Sequence, residues 1–360
     1  MTPTRAQTNA RAALLRAAFE AAGAQAVEPP ILQPADTLLD LYGEDIRARA
    51  YVTSDALRGE QMLRPDFTVP VVQMHMAEGA EPARYTYAGE VFRRQENDPN
   101  RANEYVQVGF EVFERDDPAA SDAEVFALIA RALGTLPVRA VTGDIGLLMA
   151  AVHGLETTAL RKNALMRHIW RPKRFRALLS QFAGEVQMPA ARVALLAGDV
   201  PSVGPLVGAR RQHEIDARLA ALRADAQSPP IPARDVSRID ALLSIAAPMP
   251  EAVAQLQELG RTLPAIQRAV EGVDARQRAL VARGVDVAHL HFEVSYGRTS
   301  MEYYDGFVFG FRSPTRPDLP PVATGGRYDA LTRRLGGGRE IPAVGGVMRP
   351  GVMLDLEGGP

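Results

Sequence analysis

Four short stretches of this chain carry side chains suited to gripping a small zwitterion. Asp66 and Thr68 lie in LRPDFT, Gln107 and Glu111 in EYVQVGFEVF, and Tyr303 and Tyr304 in MEYYDGFVF; Tyr328 follows a Gly-Gly-Arg turn. A site for a free amino acid needs carboxylates or hydroxyls for the ammonium, and shaped donors or acceptors for the side chain. These groups must converge, because an unpaired buried charge costs on the order of several kcal/mol. Gln107 and Glu111 stand at i and i+4 of a predicted strand, which puts both on one face. The acids can then hold an ammonium while a tyrosine hydroxyl reads a ring nitrogen. Taken singly, each residue has a plainer reading, since strand carboxylates usually face solvent and tyrosines usually fill core or rim. Their joint presence suggests a pocket.

Other chemistries find no support. The chain has no cysteine, which excludes disulfides and thiolate metal sites and fits a cytosolic protein. Its six histidines show no ligand spacing. His289 and His291 flank Leu290 on a predicted strand and share a face, but without further ligands they make no metal site. There is no Walker A sequence and no dinucleotide fingerprint, so no cofactor is expected.

The elements that must position these residues follow from pattern. The 360 residues exceed one average domain. With 41 basic and 43 acidic residues the net charge is -2, which gives no global drive toward nucleic acid or anionic membrane. The N-terminus carries arginines throughout, lacks a signal peptide's apolar run, and predicts a helix with Leu14, Leu15, Ala18, Phe19 and Ala22 on its buried face and Gly23 as its stop. No segment approaches the ~20 apolar residues of a membrane span, and a cytoplasmic location is expected. The proline-rich VEPPILQP at 27–34 reads as an edge or interface segment. Residues 61–75 combine a short strand, a polar turn and a helix. Residues 84–92 and 104–114 alternate as two strands of a hairpin, joined by the polar loop 93–103. Ser121 and Glu124 have capping-box spacing ahead of a helix burying Val125, Phe126, Ile129 and Leu133. A strand is predicted over 138–141, a helix over 145–152, and strands over 287–295 and 303–311.

Residues 156–273 are rich in Ala, Leu and Arg and read as a helical insertion between the core segments 1–155 and 274–360. Within it, residues 161–176 (RKNALMRHIWRPKRFR) hold seven Lys or Arg and Trp170. A solvated helical face is the plainer reading; a surface for an acidic partner or RNA is the other.

In order along the chain, RPDFT, VFRRQ…EYVQVGFEVF, MEYYDGFVF and GGRYD resemble the catalytic core of histidyl-tRNA synthetase. The usual forms there are RPEGT, MFRYERPQ…RQFHQ-G-EVFG, RGLDYYTGTVFE and GGGRYDGL. The match needs no gap from Arg93 to Glu111 and covers most of the chain outside the insertion. It implies an α+β fold of the class II synthetase type, an antiparallel sheet flanked by helices. It also places Asp66, Thr68, Gln107, Glu111, Tyr304 and Tyr328 on histidine-binding positions. Arg93 matches the arginine on the ATP α-phosphate and Arg101 another triphosphate contact, which together make a vestigial ATP site.

The departures point away from catalysis. Gln95 stands where the family reads adenine with a glutamate, and Asn103 where it has a second basic residue. Thr299 takes the place of the arginine in RGLDYY, leaving Arg298 one residue out of phase and aimed at the opposite face. At 349–353, RPGVM replaces the motif 3 pattern GLERL, so Val352 stands for an ATP-clamping arginine, and a Pro-Gly pair is expected to disrupt the helix that would carry it. One such donor is typically worth about 10²–10³ in rate. Arg349 is not expected to compensate, since guanidinium geometry does not transfer across a shifted register. Few residues follow, so no anticodon-binding domain and no tRNA partner are expected.

A histidine pocket without the ATP arginines is similar to the synthetase paralogues that serve as regulatory subunits of ATP phosphoribosyltransferase. That resemblance implies no catalytic residues and no aminoacylation. It implies a short-form catalytic subunit as partner in a hetero-octamer built on synthetase-like self-dimers, and histidine as feedback effector. The alternative is a free-standing synthetase-like ligase activating histidine or another amino acid for a non-tRNA acceptor. A third reading, an RNA-binding fragment, rests only on the basic segment.

Overall fold

The computed structural model describes residues 3–42, 46–95, 101–198, 211–298 and 303–358. Among the described residues, twelve strands form two sheets: β1 (Gln25–Ala26), β2 (Leu32–Pro34), β3 (Val52–Asp55), β4 (Gly59–Leu63), β5 (Ala83–Phe92), β6 (Glu104–Phe113), β7 (Arg139–Asp144), β8 (Ala246–Pro248), β9 (His291–Glu293), β10 (Phe307–Arg312), β11 (Ala323–Arg327) and β12 (Ala343–Met348). The larger sheet runs β1-β5-β6-β12-β11-β10-β7-β9-β8, and the smaller β2-β4-β3. From β5 to β7 every pairing is antiparallel; β1 joins β5 and β9 joins β7 in parallel.

The predicted hairpin is β5 and β6, in register from Ala83 opposite Phe113 to Phe92 opposite Glu104. Alternation sorts the large sheet into two faces. On the back, Phe307, Phe309 and Phe311 pack on Phe126 of the helix Pro118–Leu133, and Phe110 on Phe19 of the helix Arg5–Ala21. On the front, Phe113 stacks on His75 of the helix Thr68–Glu78. The candidate site residues Gln107 and Glu111 also lie on this face.

Several expectations are corrected. The first helix buries Ala12, Leu15 and Phe19, whereas Leu14 is 68% exposed and Ala18 and Ala22 face solvent; the helix touches the sheet along a stripe narrower than its apolar face. Gly23 does follow its end, at φ +96°. The capping box at Ser121 is not formed. Asp117 caps the helix by accepting from Ala120 N at 2.9 Å, Pro118 occupies its first turn, and Glu124 pairs with Arg84 at 2.6 Å; aspartate before proline is the stronger start signal. The later strands are shorter than predicted, at His291–Glu293 and Phe307–Arg312, while β7 runs on to Asp144. His289 precedes β9 and pairs with Asp286.

The helix that carries the motif 3 stretch is intact, contrary to the expected disruption by Pro350 and Gly351. It spans Pro350–Glu357, with Arg349 as N-cap and Pro350 in its first turn, where a missing N–H leaves no hydrogen bond unmade. Segment 156–273 is mostly helical, but β8 pairs with β9 of the main sheet and the helix Gln267–Ala282 packs against Pro118–Leu133. In the basic stretch, Arg161 is buried and pairs with Asp225 at 2.9 Å, while Arg167, Arg171, Lys173 and Arg174 are exposed.

Candidate functional site

A cavity of about 400 Å³ opens on the front face and is lined by Asp66, Thr68, Gln107, Tyr303, Tyr304 and Gly345 at one end. Arg93, Tyr296, Arg312, Thr324 and Arg349 line the rest. Asp66 and Thr68 arrive from the turn into the helix Thr68–Glu78, Gln107 from β6, and Tyr304 from the turn before β10. Four of the six predicted histidine-binding residues, Asp66, Thr68, Gln107 and Tyr304, therefore share one cavity.

Glu111 and Tyr328 lie behind this lining, 0% and 1% exposed. Glu111 accepts from Tyr328 Oη at 2.5 Å, from Tyr87 Oη at 2.8 Å and from Thr68 Oγ1 at 3.1 Å. Burial pushes its pKa up to about 7 against the pull of those three donors. Burial and the adjacent carboxylate raise the Tyr328 and Tyr87 hydroxyls well above 10, so both remain protonated donors. Thr68 touches both layers: it lines the cavity and holds Glu111.

Tyr87 escaped sequence reasoning. It is fully buried, stacked on Phe67 at 4.3 Å, and stands opposite Gly109. A Cβ at Gly109 would meet its ring at 2.1 Å. A glycine facing a tyrosine across a predicted hairpin was the available signal.

Gln107 has the least satisfied side chain of the site. It is 0% exposed, and neither its Nε2 nor its Oε1 has a hydrogen-bond partner. Buried amides without partners are rare in folded proteins and cost stability. A ligand in the cavity that both donates and accepts would satisfy it.

Arg93 lines the cavity and a second groove of about 1310 Å³, and donates through Nε to Pro65 O at 2.7 Å. Arg101, Gln95 and Val352 line only that groove. Arg349 lies between the two and donates to Pro321 O at 2.7 Å. Thr299 falls outside the described residues. Arg298 is 4% exposed and turned toward the helical segment: its Nε donates to Ile169 O at 2.8 Å, and its guanidinium lies 4.9 Å from the Phe175 ring centroid. Desolvation lowers its pKa to about 10, so it stays charged. No group of three acidic or histidine side chains among the described residues can hold a metal, and no described helix is long and apolar enough to cross a membrane.

The family model for histidyl-tRNA synthetase matches residues 2–350. The chain belongs to the histidyl-tRNA synthetase family. The protein named ATP phosphoribosyltransferase regulatory subunit from Brucella anthropi is 29% identical over 353 residues, covering 92% of this chain and 93% of its own. Its namesake from Brucella canis is 29% identical over 352 residues, with the same coverage. Among solved structures, an ATP phosphoribosyltransferase regulatory subunit/histidyl-tRNA synthetase from Bacillus halodurans aligns with a TM-score of 0.69 at 19% identity, covering 99% of this chain and 81% of that one. Histidyl-tRNA synthetase from Nostoc sp. PCC 7120 aligns at 0.65 and 16%, covering 99% and 73%. The α+β, synthetase-like fold expected from the motifs is the fold these structures share.

Proposed function

We propose that this protein is a non-catalytic regulatory subunit of ATP phosphoribosyltransferase, which binds histidine, activates a short catalytic subunit and makes it sensitive to feedback inhibition at the first step of histidine biosynthesis. The observation that carries the reading is the unpartnered Gln107 amide in a cavity shared with Asp66, Thr68 and Tyr304. Asp66 takes the ammonium, Gln107 the polar atoms beside it, and Tyr304 with the Glu111 network reads the ring. The relatives' name supplies the partner. Val352 in place of an arginine, and Arg298 turned onto Ile169, argue against adenylation. The exposed Ile31, Leu32, Val52 and Leu57 on and beside the small sheet support a self-dimer through that surface, on which the hetero-octamer is built. The two-domain division, with 156–273 as an insertion, and a cytoplasmic location belong to the same reading.

The test is reconstitution. A short-form ATP phosphoribosyltransferase is assayed with and without this chain while histidine is titrated. The expected result is activation by the chain and inhibition by histidine, with Gln107→Ala raising the half-inhibiting concentration about tenfold, the worth of one buried hydrogen-bonded group. Phosphoribosyl transfer indifferent to the chain would overturn the reading.

A ligase remains the second reading, because Arg93 and Arg349 both reach the cavity. Histidine-dependent pyrophosphate exchange separates the two.

A further inference from the structure

The tyrosine behind the cavity is fixed from the other side of the sheet. Arg327 and Tyr328 are neighbours at the end of β11, so their side chains leave in opposite directions. Tyr328 runs forward to Glu111; Arg327 runs back into a buried group of charges. There Asp122 Oδ1 receives Arg327 Nη2 at 2.7 Å and Nε at 3.1 Å, and its Oδ2 receives Arg276 Nε at 2.9 Å. Arg276 Nη2 goes on to Asp144 at 2.7 Å. None of these four residues is more than 7% exposed.

Each comes from a different element. Arg276 belongs to the helix Gln267–Ala282, Asp122 to Pro118–Leu133, Asp144 to the end of β7 and Arg327 to β11. Two-point contacts between a guanidinium and carboxylates fix planes as well as distances, and breaking one side of a buried ion pair is far more costly than leaving it intact. The network is therefore stiff along its length, from the helix to the residue preceding Tyr328. Beyond Tyr328 the restraint continues: Arg327 Nη1 donates to Asp329 at 3.0 Å, and Asp305 N to Arg327 O at 3.0 Å.

We infer that Arg276 and Asp122 are positioning residues of the ligand pocket: through Arg327 they place Tyr328 against Glu111, and they make ligand affinity depend on where the helix Gln267–Ala282 sits. This rests on the pocket reading above. The helix leads out of the segment 156–273, so a movement of that segment has a route to Tyr328 through these charges.

The test is a double-mutant cycle on the full chain, read by calorimetric titration with histidine. Arg276→Met is expected to weaken binding about tenfold, and Tyr328→Phe to weaken it as well. Adding Arg276→Met to Tyr328→Phe should cost nothing more, since the arginine acts through the tyrosine. Leu280→Ala, an equally buried change in the same helix, should lower Tm without moving affinity. Should Arg276→Met fail to fold, Arg276→Lys, which keeps the charge and loses the fork, takes its place in the same cycle. Wild-type affinity in the arginine variant, or losses that multiply in the double variant, overturns the inference while leaving the pocket standing. A wild-type chain that does not bind histidine overturns both.

Discussion

The carboxylate of Glu111 lies directly across Gly345. The two face each other between β6 and β12, and a Cβ at Gly345 would stand 1.4 Å from Oε2. Gly326 is similarly covered by Tyr304, whose ring would lie 2.7 Å from an added Cβ. Gly345 of AVGGV and Gly326 of GGRYD are thus the floor on which the pocket's side chains rest, while their neighbours Gly346 and Gly325 lie against Phe309 on the back of the sheet. Gly345→Ala must displace Glu111 and break its contacts with Tyr87, Thr68 and Tyr328. Overpacking of this kind costs about 1–3 kcal/mol. We expect a clearly lower Tm and loss of histidine binding by calorimetry; unchanged affinity would remove Glu111 from the site.

Protonation should tune the same group. Glu111 and Asp305 are both held at about 7 by burial, against ordinary values of 4.5 and 3.8. The folded state therefore keeps two protons that the unfolded chain releases at lower pH. Their contribution to stability is fully present below about pH 4 and is lost as pH rises toward and through about 7. Thermal melts between about pH 5 and about pH 8 should show this fall, and Glu111→Gln should flatten part of it. A variant with the wild-type slope would place the titration elsewhere.

Adenylation should be absent. With Val352 in the groove beside Arg93 and Arg101 and Arg298 bound to Ile169 O, histidine-dependent pyrophosphate exchange is expected at background. The loss of one positioned arginine alone amounts to about 10²–10³ in rate. Turnover near that of a working synthetase would return the chain to the enzymes and make Arg349 the substitute.

Association through the small sheet is open to a direct measurement. Leu32→Asp puts a charge on an edge strand that exposes 49% of that leucine. If this surface joins two copies, sedimentation should show dimer for the wild type and monomer for the variant. A variant that sediments like the wild type would move the interface.

Much of the candidate site's geometry was legible in the chain because strands with a period of two declare their faces: Gln107 and Glu111 do point the same way, and Asp66, Thr68 and Tyr304 meet Gln107 in one cavity. Depth along the face normal is not encoded in that period. Glu111 and Tyr328 share the face yet lie one layer below the lining, since Gly345 lets the carboxylate sink and Tyr87 closes over it. Charges paired across distant elements were equally silent: Asp122 read as part of a helix start, and only the fold brings it to Arg276 and Arg327.

Pro350 carries a different implication. At the first turn it starts the helix Pro350–Glu357 instead of breaking it, so Val352 is held over the groove by an undistorted backbone. At this point what departs from the motif 3 pattern is the side chain, while the helix that carries it is formed. Val352→Arg would set a guanidinium on a ready-made support, which makes the protein a starting point for asking how few substitutions separate the proposed reader of an amino acid from a machine that activates one.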